Sequence, residues 1–283
     1  MNDKMRNLTV RTLSGIALAA VMLGAIVWSQ RSFGLLLALL IVGGMREFYT
    51  LARARGLAPQ TFIGTIAGLT LFALNFAFVS DDIEIFGEAR PLFGGGLAFL
   101  LLLVPVMFFC ELWRRHEHPL ANISVTLAGL FYVALPFSLI CYFPILASDA
   151  WEPRAMLGYL FIIWANDVFA YLVGMTFGSH RLCERLSPKK SWEGFIGGLI
   201  GAMAMGYIAA TAMGGDHFEW IGMALIAAIT GVFGDLVESL FKRSVDVKDS
   251  GRIIPGHGGW LDRFDALILS VPFVFIYLVF CMN

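Results

Sequence analysis

Nine stretches of apolar residues, separated by short polar segments, divide the chain. They cover approximately residues 10–29, 33–50, 61–80, 91–112, 120–147, 156–178, 194–214, 218–240 and 264–282. Most are close to the ~20 residues that a helix needs to cross the hydrocarbon core of a bilayer. The pattern therefore predicts an all-α integral membrane protein, a polytopic bundle of about nine transmembrane helices.

The second and fifth stretches are less regular than the others. The second ends with the charged residues Arg46 and Glu47, and the fifth is long and contains Pro136. A long span can tilt, and a proline can break a helix. Both a continuous and an interrupted helix fit these two stretches, and losing either span would invert the orientation of everything after it.

The first stretch follows basic residues, as the apolar part of a secretory signal peptide also does. Lys4 and Arg6 precede it and Arg11 lies at its start, but it is longer than usual in such a peptide and ends in Trp28-Ser-Gln-Arg31 without a small-residue cleavage site. We therefore interpret it as a first membrane anchor.

The composition excludes an ordinary soluble protein. Of the 283 residues, 58% are hydrophobic and 14% are charged, whereas soluble proteins have about 25% charged residues. The four cysteines have no CxxC spacing, which argues against a disulfide framework or a zinc site. We expect one polytopic domain over residues 1–283, with N-terminal spans in 1–150 and catalytic spans and cytoplasmic loops in 151–283.

Basic residues are strongly segregated along the chain, although the formal net charge is −1. If the N-terminus is cytoplasmic, the nine spans leave 17 of the 20 Lys and Arg residues on the cytoplasmic side. An excess of Lys and Arg is typical of cytoplasmic loops. The pattern predicts a cytoplasmic N-terminus and two strongly basic cytoplasmic loops, and it gives no indication of nucleic-acid binding.

Asp167 lies within the sixth stretch, where an ionised side chain costs about 2.5–3.5 kcal/mol on insertion scales. Two interpretations are open: a structural carboxylate bonded to a neighbouring helix, or a group that faces a cavity or a substrate. Gly174 and Gly178 follow with the GxxxG spacing that is typical of close helix packing, within or between subunits.

The loop after this span is basic and ends in Ser187-Pro-Lys-Lys-Ser-Trp-Glu-Gly194. Such a loop could simply orient the neighbouring spans, whatever its chemistry. Hydroxyl and ammonium groups just before a new helix also suit a phosphate group, because the amides at a helix N-terminus bind anions.

Polar residues recur at intervals of three and four near the end of the eighth stretch: Asp235, Glu238, Ser239 and Lys242. This spacing puts them on one face of a helix. The face resembles a wall for a metal ion or a phosphate, and a solvated helix end is the alternative.

The connector from Ser239 to Asp265 holds nine charged residues and one histidine, His257. Carboxylates bind Mg²⁺ through oxygen, and Lys and Arg neutralise phosphate oxygens. Glycines in the connector let the backbone approach a ligand closely. These residue types predict a site for a polyphosphate with a hard metal ion, although His257 by itself could equally be an ordinary interfacial histidine.

The connector reads Ser-x-Phe-Lys-Arg-x4-Lys-Asp-x-Gly-x2-Ile-Pro-x-His-Gly-Gly-x2-Asp-Arg-x-Asp. This long pattern resembles the signature of the phosphatidate cytidylyltransferases, also called CDP-diacylglycerol synthases. Asp167-x3-Tyr171, Phe177-Gly178 and the 187–194 segment are also similar, so the resemblance covers roughly residues 156–282. One departure is residues 179–181, Ser-His-Arg, where many relatives have a basic residue directly after Phe-Gly.

The resemblance implies transfer of CMP from CTP to phosphatidic acid, giving CDP-diacylglycerol and pyrophosphate. It implies a requirement for Mg²⁺, a second, monovalent cation such as K⁺, a homodimer and contact with membrane lipid. It also implies an active site on the cytoplasmic face of a bacterial inner membrane.

The resemblance implies roles for particular residues as well. Asp235 and Asp262 would bind the metal. The catalytic set would be Asp235, Ser239, Lys248, Asp249, His257, Asp262 and Asp265. The substrate-binding set would be Asp167, Ser187, Lys189, Lys190, Ser191, Lys242, Arg243 and Arg263.

Three other functions compete with this one. In an ion-coupled transporter, Asp167 and Asp235 would bind protons or sodium within the membrane. However, no inverted repeat is apparent, and transport does not require so many basic groups in one connector. A nucleotidyltransferase acting on a different lipid phosphate and a purely structural scaffold are the other two.

Overall fold

The computed structural model describes residues 3–80, 89–146, 151–251 and 258–281. Its helices are α1 (Asp3–Trp28), α2 (Gln30–Ala54), α3 (Thr61–Val79), α4 (Ala89–Arg114), α5 (Pro119–Gly129), α6 (Leu135–Leu139), α7 (Phe143–Leu146), α8 (Pro153–Phe177), α9 (Trp192–Met213), α10 (His217–Ser244) and α11 (Leu261–Cys281). Two short strands, β1 (Arg181–Cys183) and β2 (Ser187–Ser191), follow α8 along the chain.

The prediction of a polytopic all-α membrane protein is confirmed. Within the described ranges, eight helical segments are long and apolar enough to cross a membrane. The first predicted span forms α1, whose apolar part, Thr12–Trp28, is shorter than the other eight. Many large apolar side chains on these helices are exposed, as expected where helices face lipid rather than water.

The two irregular spans have different outcomes. The second is one continuous helix, α2, and its charged residue Glu47 is buried within the protein. The fifth runs from α5 through a wider π-helical turn at Leu130–Ala134 into α6, a 3₁₀ turn at Ile140–Tyr142 and α7. Pro136 lies in the first turn of α6, where its missing N–H is tolerated.

The described chain divides into two compact units. One comprises residues 1–142 and 244–263, and the other comprises 143–243 and 264–283. The predicted division into 1–150 and 151–283 stays a prediction.

Helix α2 is central to the core of the first unit. Tyr49 of α2 is fully buried, and its hydroxyl donates a hydrogen bond of 2.8 Å to the Thr126 carbonyl oxygen of α5. Gly64 and Gly129 leave the space that the Tyr49 ring occupies, since a Cβ at either position would overlap it. These contacts bring α2, α3 and α5 together.

In the second unit, α8 and α9 pack closely against each other through small residues. A Cβ on Gly197 of α9 would lie 2.5 Å from the Cβ of Val173 on α8, and one on Gly194 would lie 3.1 Å from the Cα of Gly174. The glycines therefore let two helix backbones approach. This contact confirms the expected packing role of Gly174 within one chain.

We expect the substitution Gly197→Ala to lower the free energy of unfolding by about 1–3 kcal/mol, because the β-branched Val173 leaves no room for a methyl group. Thermal unfolding in detergent measures the effect. Gly24→Ala is the control, since a Cβ there has no neighbour within 4 Å. Equal melting temperatures for the two variants would contradict the packing argument.

Candidate active site

The polar face of α10 forms as the helical spacing predicts. The Ser239 hydroxyl donates a hydrogen bond of 3.2 Å to Asp235 Oδ1. Lys242 Nζ lies 2.5 Å from Glu238 Oε2, and both side chains are buried. Glu238 was not among the predicted site residues, although the same spacing that indicated Asp235 and Ser239 also included it.

Asp265 joins this face from α11. Gly234 makes the approach possible, because a Cβ at this position would overlap the Asp265 carbonyl oxygen. Carboxylate oxygens of Asp235, Glu238 and Asp265 consequently lie within 4.8 Å of one another. We call these three residues the carboxylate cluster.

Lys190 reaches the carboxylate cluster from β2, so the basic loop and the end of α10 meet in space. Its Nζ lies 2.7 Å from Asp235 Oδ2. The sequence predicted a basic loop here. The structure instead has an antiparallel hairpin in which Arg181 pairs with Ser191 and Cys183 pairs with Ser187. A hairpin is a more rigid support for Lys190 than an irregular loop.

The base of the hairpin is fixed to the start of α9. Glu193 accepts hydrogen bonds from the backbone amides of Ser179 and His180, at 3.1 and 3.2 Å, and its Oε1 lies 2.6 Å from His180 Nδ1. Ser191 caps α9 by accepting a hydrogen bond from the Gly194 amide. Ser191 is buried, so its hydroxyl serves the helix terminus, and its predicted contact with substrate stays a prediction.

The carboxylate cluster contains more acidic than basic side chains, which is unusual at the end of apolar helices. The ion pairs described above bring Lys190 and Lys242 to the cluster, but carboxylates still outnumber these lysines. Such a set of oxygen ligands, close together and partly buried, fits a hard divalent cation.

Asp262, the other predicted metal ligand, belongs to the first unit. Its side chain is hydrogen-bonded to other residues of the connector. Its Oδ2 accepts hydrogen bonds from the Ser250 amide at 2.9 Å, the Ser250 hydroxyl at 3.0 Å and the Gly259 amide at 2.8 Å. Within the second unit, the carboxylates beside Asp235 are Glu238 and Asp265. Metal binding by Asp235 together with Asp262 stays a prediction.

The remaining predicted residues lie on the surface or in the sheet. Ser187 is part of β2, and the side chains of the other described ones are exposed: Asp167, Lys189, Arg243, Lys248, Asp249 and Arg263. His257 lies outside the described residues.

Comparison with known proteins identifies the family. Residues 9–281 match the model of the family described as the cytidylyltransferase family. The chain belongs to this family.

Similar proteins cover nearly the whole chain. It is 31% identical over 301 aligned positions to a phosphatidate cytidylyltransferase of Synechocystis, with 96% of each chain covered. It is 34% identical to one of Haemophilus influenzae, covering 95% of this chain and 98% of the relative. A Staphylococcus aureus protein of the same name is 48% identical over 120 residues, 42% of this chain and 46% of the relative. Family membership makes this chain a nucleotidyltransferase.

We expect Gly234→Ala to destabilise this member of the cytidylyltransferase family by about 1–3 kcal/mol, because the new methyl group must push α10 away from α11. Thermal unfolding measures the change. Gly231→Ala is a matched control on the same helix, since its Cβ would lie 3.4 Å from Ala266 Cβ, an ordinary contact. A Gly234→Ala protein as stable as the control would show that the close approach is not required.

Proposed function

We propose that this protein is a phosphatidate cytidylyltransferase, which transfers CMP from CTP to phosphatidic acid and releases pyrophosphate. The observation that carries the proposal is the 2.7 Å contact between Lys190 and Asp235. It joins a basic hairpin to a carboxylate cluster, and a phosphoryl-transfer site needs both kinds of charge. The similarity to enzymes of that name along nearly the whole chain supports the substrate assignment.

The reaction demands charge stabilisation more than proton transfer. An oxygen of the lipid phosphate, already anionic, attacks the α-phosphorus of CTP and forms a new P–O bond. The bond from the α-phosphorus to the oxygen bridging to the β-phosphate breaks, and that electron pair leaves with pyrophosphate. No general base is required, so the task of the protein is to bring two polyanions together and to stabilise the negative charge that develops.

Basic residues beside the carboxylate cluster suit this task. Lys190 and Lys242 are held by acidic partners, so their ammonium groups are oriented before any substrate binds. We propose that they contact phosphate oxygens of the substrates, together with the exposed residues Lys189 and Arg243 of the same unit. The resemblance adds Lys248 to this set. Preorganised charges of this kind need little rearrangement during the reaction.

We propose Mg²⁺ as the cofactor. Asp235, Glu238 and Asp265 would hold it, since their oxygens lie within 4.8 Å of one another, and Asp262 stays a candidate ligand from the resemblance. When bound, Mg²⁺ would neutralise charge on the triphosphate and on the departing pyrophosphate. Ser239, bonded to Asp235, would orient one carboxylate of the set.

We further propose that the N-terminus and the active site face the cytoplasm of a bacterial inner membrane, where soluble CTP meets a lipid phosphate. The distribution of Lys and Arg along the chain supports this orientation. A homodimer, contact with membrane lipid and a second, monovalent cation such as K⁺ are proposed from the resemblance.

The direct test is pyrophosphate release by the purified protein in detergent, with CTP and phosphatidic acid, over a titration of Mg²⁺. We expect release only when both substrates and the metal are present. Asp235→Asn should lower kcat by about a hundredfold, the typical loss when one preorganised electrostatic contact is removed. Asp246→Asn is the control, because Asp246 is exposed and its φ of 56° suits asparagine.

Other outcomes would point elsewhere. Release with a different lipid phosphate but not with phosphatidic acid would make the protein a related lipid nucleotidyltransferase. If no lipid phosphate is turned over and the protein conducts cations in proteoliposomes, a transporter would be favoured. An Asp262→Asn enzyme with wild-type turnover at limiting Mg²⁺ would remove Asp262 from the metal site, and the same result for Glu238→Gln would remove Glu238.

We expect Lys190→Gln to raise KM for CTP or phosphatidic acid by about tenfold, because a charge-assisted hydrogen bond to a phosphate is lost. Steady-state kinetics with each substrate varied in turn will show which phosphate Lys190 contacts. Arg185→Gln is the control, since Arg185 is an exposed cation in the same hairpin outside the site. Unchanged kinetics in Lys190→Gln would leave Lys190 only its structural pairing with Asp235.

A further inference from the structure

Glu47 of α2 is a buried carboxylate in the first unit, remote in sequence from every residue assigned to the site. Only 4% of its surface is exposed. Its Oε2 accepts hydrogen bonds of 3.0 Å from the Ser250 hydroxyl and 3.0 Å from the Leu261 backbone amide. Leu261 is the first residue of α11, and amides in the first turn of a helix have no partner within the helix. Glu47 therefore caps α11, although its own helix, α2, is far from α11 in the sequence.

The connector backbone closes on the Glu47 carboxylate from two sides. A Cβ on Gly251 would overlap Glu47 Oε1, and a Cβ on Gly259 would overlap Glu47 Oε2. Any residue larger than glycine at either position would displace the carboxylate or the backbone. Two glycines of the signature pattern are thus explained by the presence of Glu47.

Glu47 is also linked to Asp262 through one hydroxyl group. Ser250 Oγ lies 3.0 Å from Glu47 Oε2 and 3.0 Å from Asp262 Oδ2. A serine hydroxyl has a single hydrogen to donate, so the two carboxylates share it. The orientation of Asp262 thereby depends on where Glu47 holds Ser250.

Capping of α11 does not by itself require a carboxylate, since a neutral acceptor oxygen could take the same amide hydrogen bond. Burial of a charged group is costly, and Glu47 Oε1 has no hydrogen-bond partner among the residues that the structure describes. The two bonds made by Oε2 instead fix both described ends of the connector at once. This double attachment points to a role in positioning.

We propose that Glu47 is a positioning residue, which holds residues 249–251 and 258–262 of the connector in place and so orients Asp262 for the reaction. Glu47 touches neither substrate nor reacting atoms in this role and acts through Ser250 and the start of α11. The effect on turnover rests on the proposed function, whereas the effect on the connector does not.

Hydrogen exchange followed by mass spectrometry tests the attachment directly. The reporters are peptides containing the amides of Ser250, Gly259 and Leu261. Glu47→Leu keeps the volume but has no acceptor, and we expect about tenfold faster exchange in these peptides, the equivalent of one lost hydrogen bond to a charged group. Glu47→Gln keeps one acceptor oxygen and should give a smaller increase. Exchange elsewhere should match the wild type.

Kinetics of the same variants test the consequence for catalysis. We expect Glu47→Gln to lower kcat by about tenfold while KM for CTP stays within about twofold, because a misoriented Asp262 weakens transition-state stabilisation more than ground-state binding. Gly259→Ala is a second variant that disturbs the same contact from the other side. It should reproduce the faster exchange of the connector peptides.

Glu111→Gln is the matched control. Glu111 is a buried glutamate of the first unit, 6% exposed, whose oxygens accept hydrogen bonds from Gln60, Asn122 and Arg114. Its substitution should lower the melting temperature. Hydrogen exchange of the connector peptides should not become selectively faster, and kcat should not change.

The outcomes separate the two proposals. Connector exchange equal to wild type in Glu47→Leu, or a uniform rise along the whole chain, would overturn the positioning role. A wild-type protein that releases no pyrophosphate would overturn the proposed function, while the exchange experiment would still decide the role of Glu47.

Discussion

Charge is stable at the ends of apolar helices only where opposite charge or a polar backbone group lies beside it. This constraint determines much of the local structure described above. In the second unit, Asp235 and Glu238 lie against Lys190 and Lys242. In the first, Glu47 and Asp262 are surrounded by backbone amides and a shared hydroxyl. Lysines thus accompany the acidic residues of α10, whereas connector amides and a hydroxyl accompany Glu47 and Asp262.

Glycine is the second recurring element, because polar groups can meet only where backbones approach. Gly234 brings α10 to Asp265, and Gly251 and Gly259 bring the connector to Glu47. In none of these places does the glycine adopt an unusual backbone angle. Their importance lies in the missing side chain, a reason that composition or turn propensity does not reveal.

Periodic features of the fold were predictable from the sequence, and long-range ones were not. The apolar stretches and the three-and-four spacing of Asp235, Glu238 and Ser239 depend on local geometry, so they could be read directly. The contact of Lys190 with Asp235 joins residues 45 positions apart, and no local pattern encodes it. The hairpin was missed because its short strands consist largely of polar and basic residues that resemble an irregular loop.

Glu47 is a clearer example of a long-range contact that the sequence could not reveal. In the sequence it was only a charge that made the second span less regular, and its partners follow more than 200 residues later. A buried charge inside a predicted span was the one available signal, and that signal indicates a partner without identifying it. The interruption of the fifth span, left open in the sequence at Pro136, begins instead at Leu130, and the proline follows the irregular turn.

The glycine contact between α8 and α9 has a mechanical consequence. Asp167 is on α8, and Lys190 comes directly before the cap of α9. The two helix backbones approach closely at Gly174 and Gly194, so the start of α9 is packed against α8. Lys190 is therefore held beside two closely packed helices. Its backbone would lose little conformational entropy if an anion bound to its side chain.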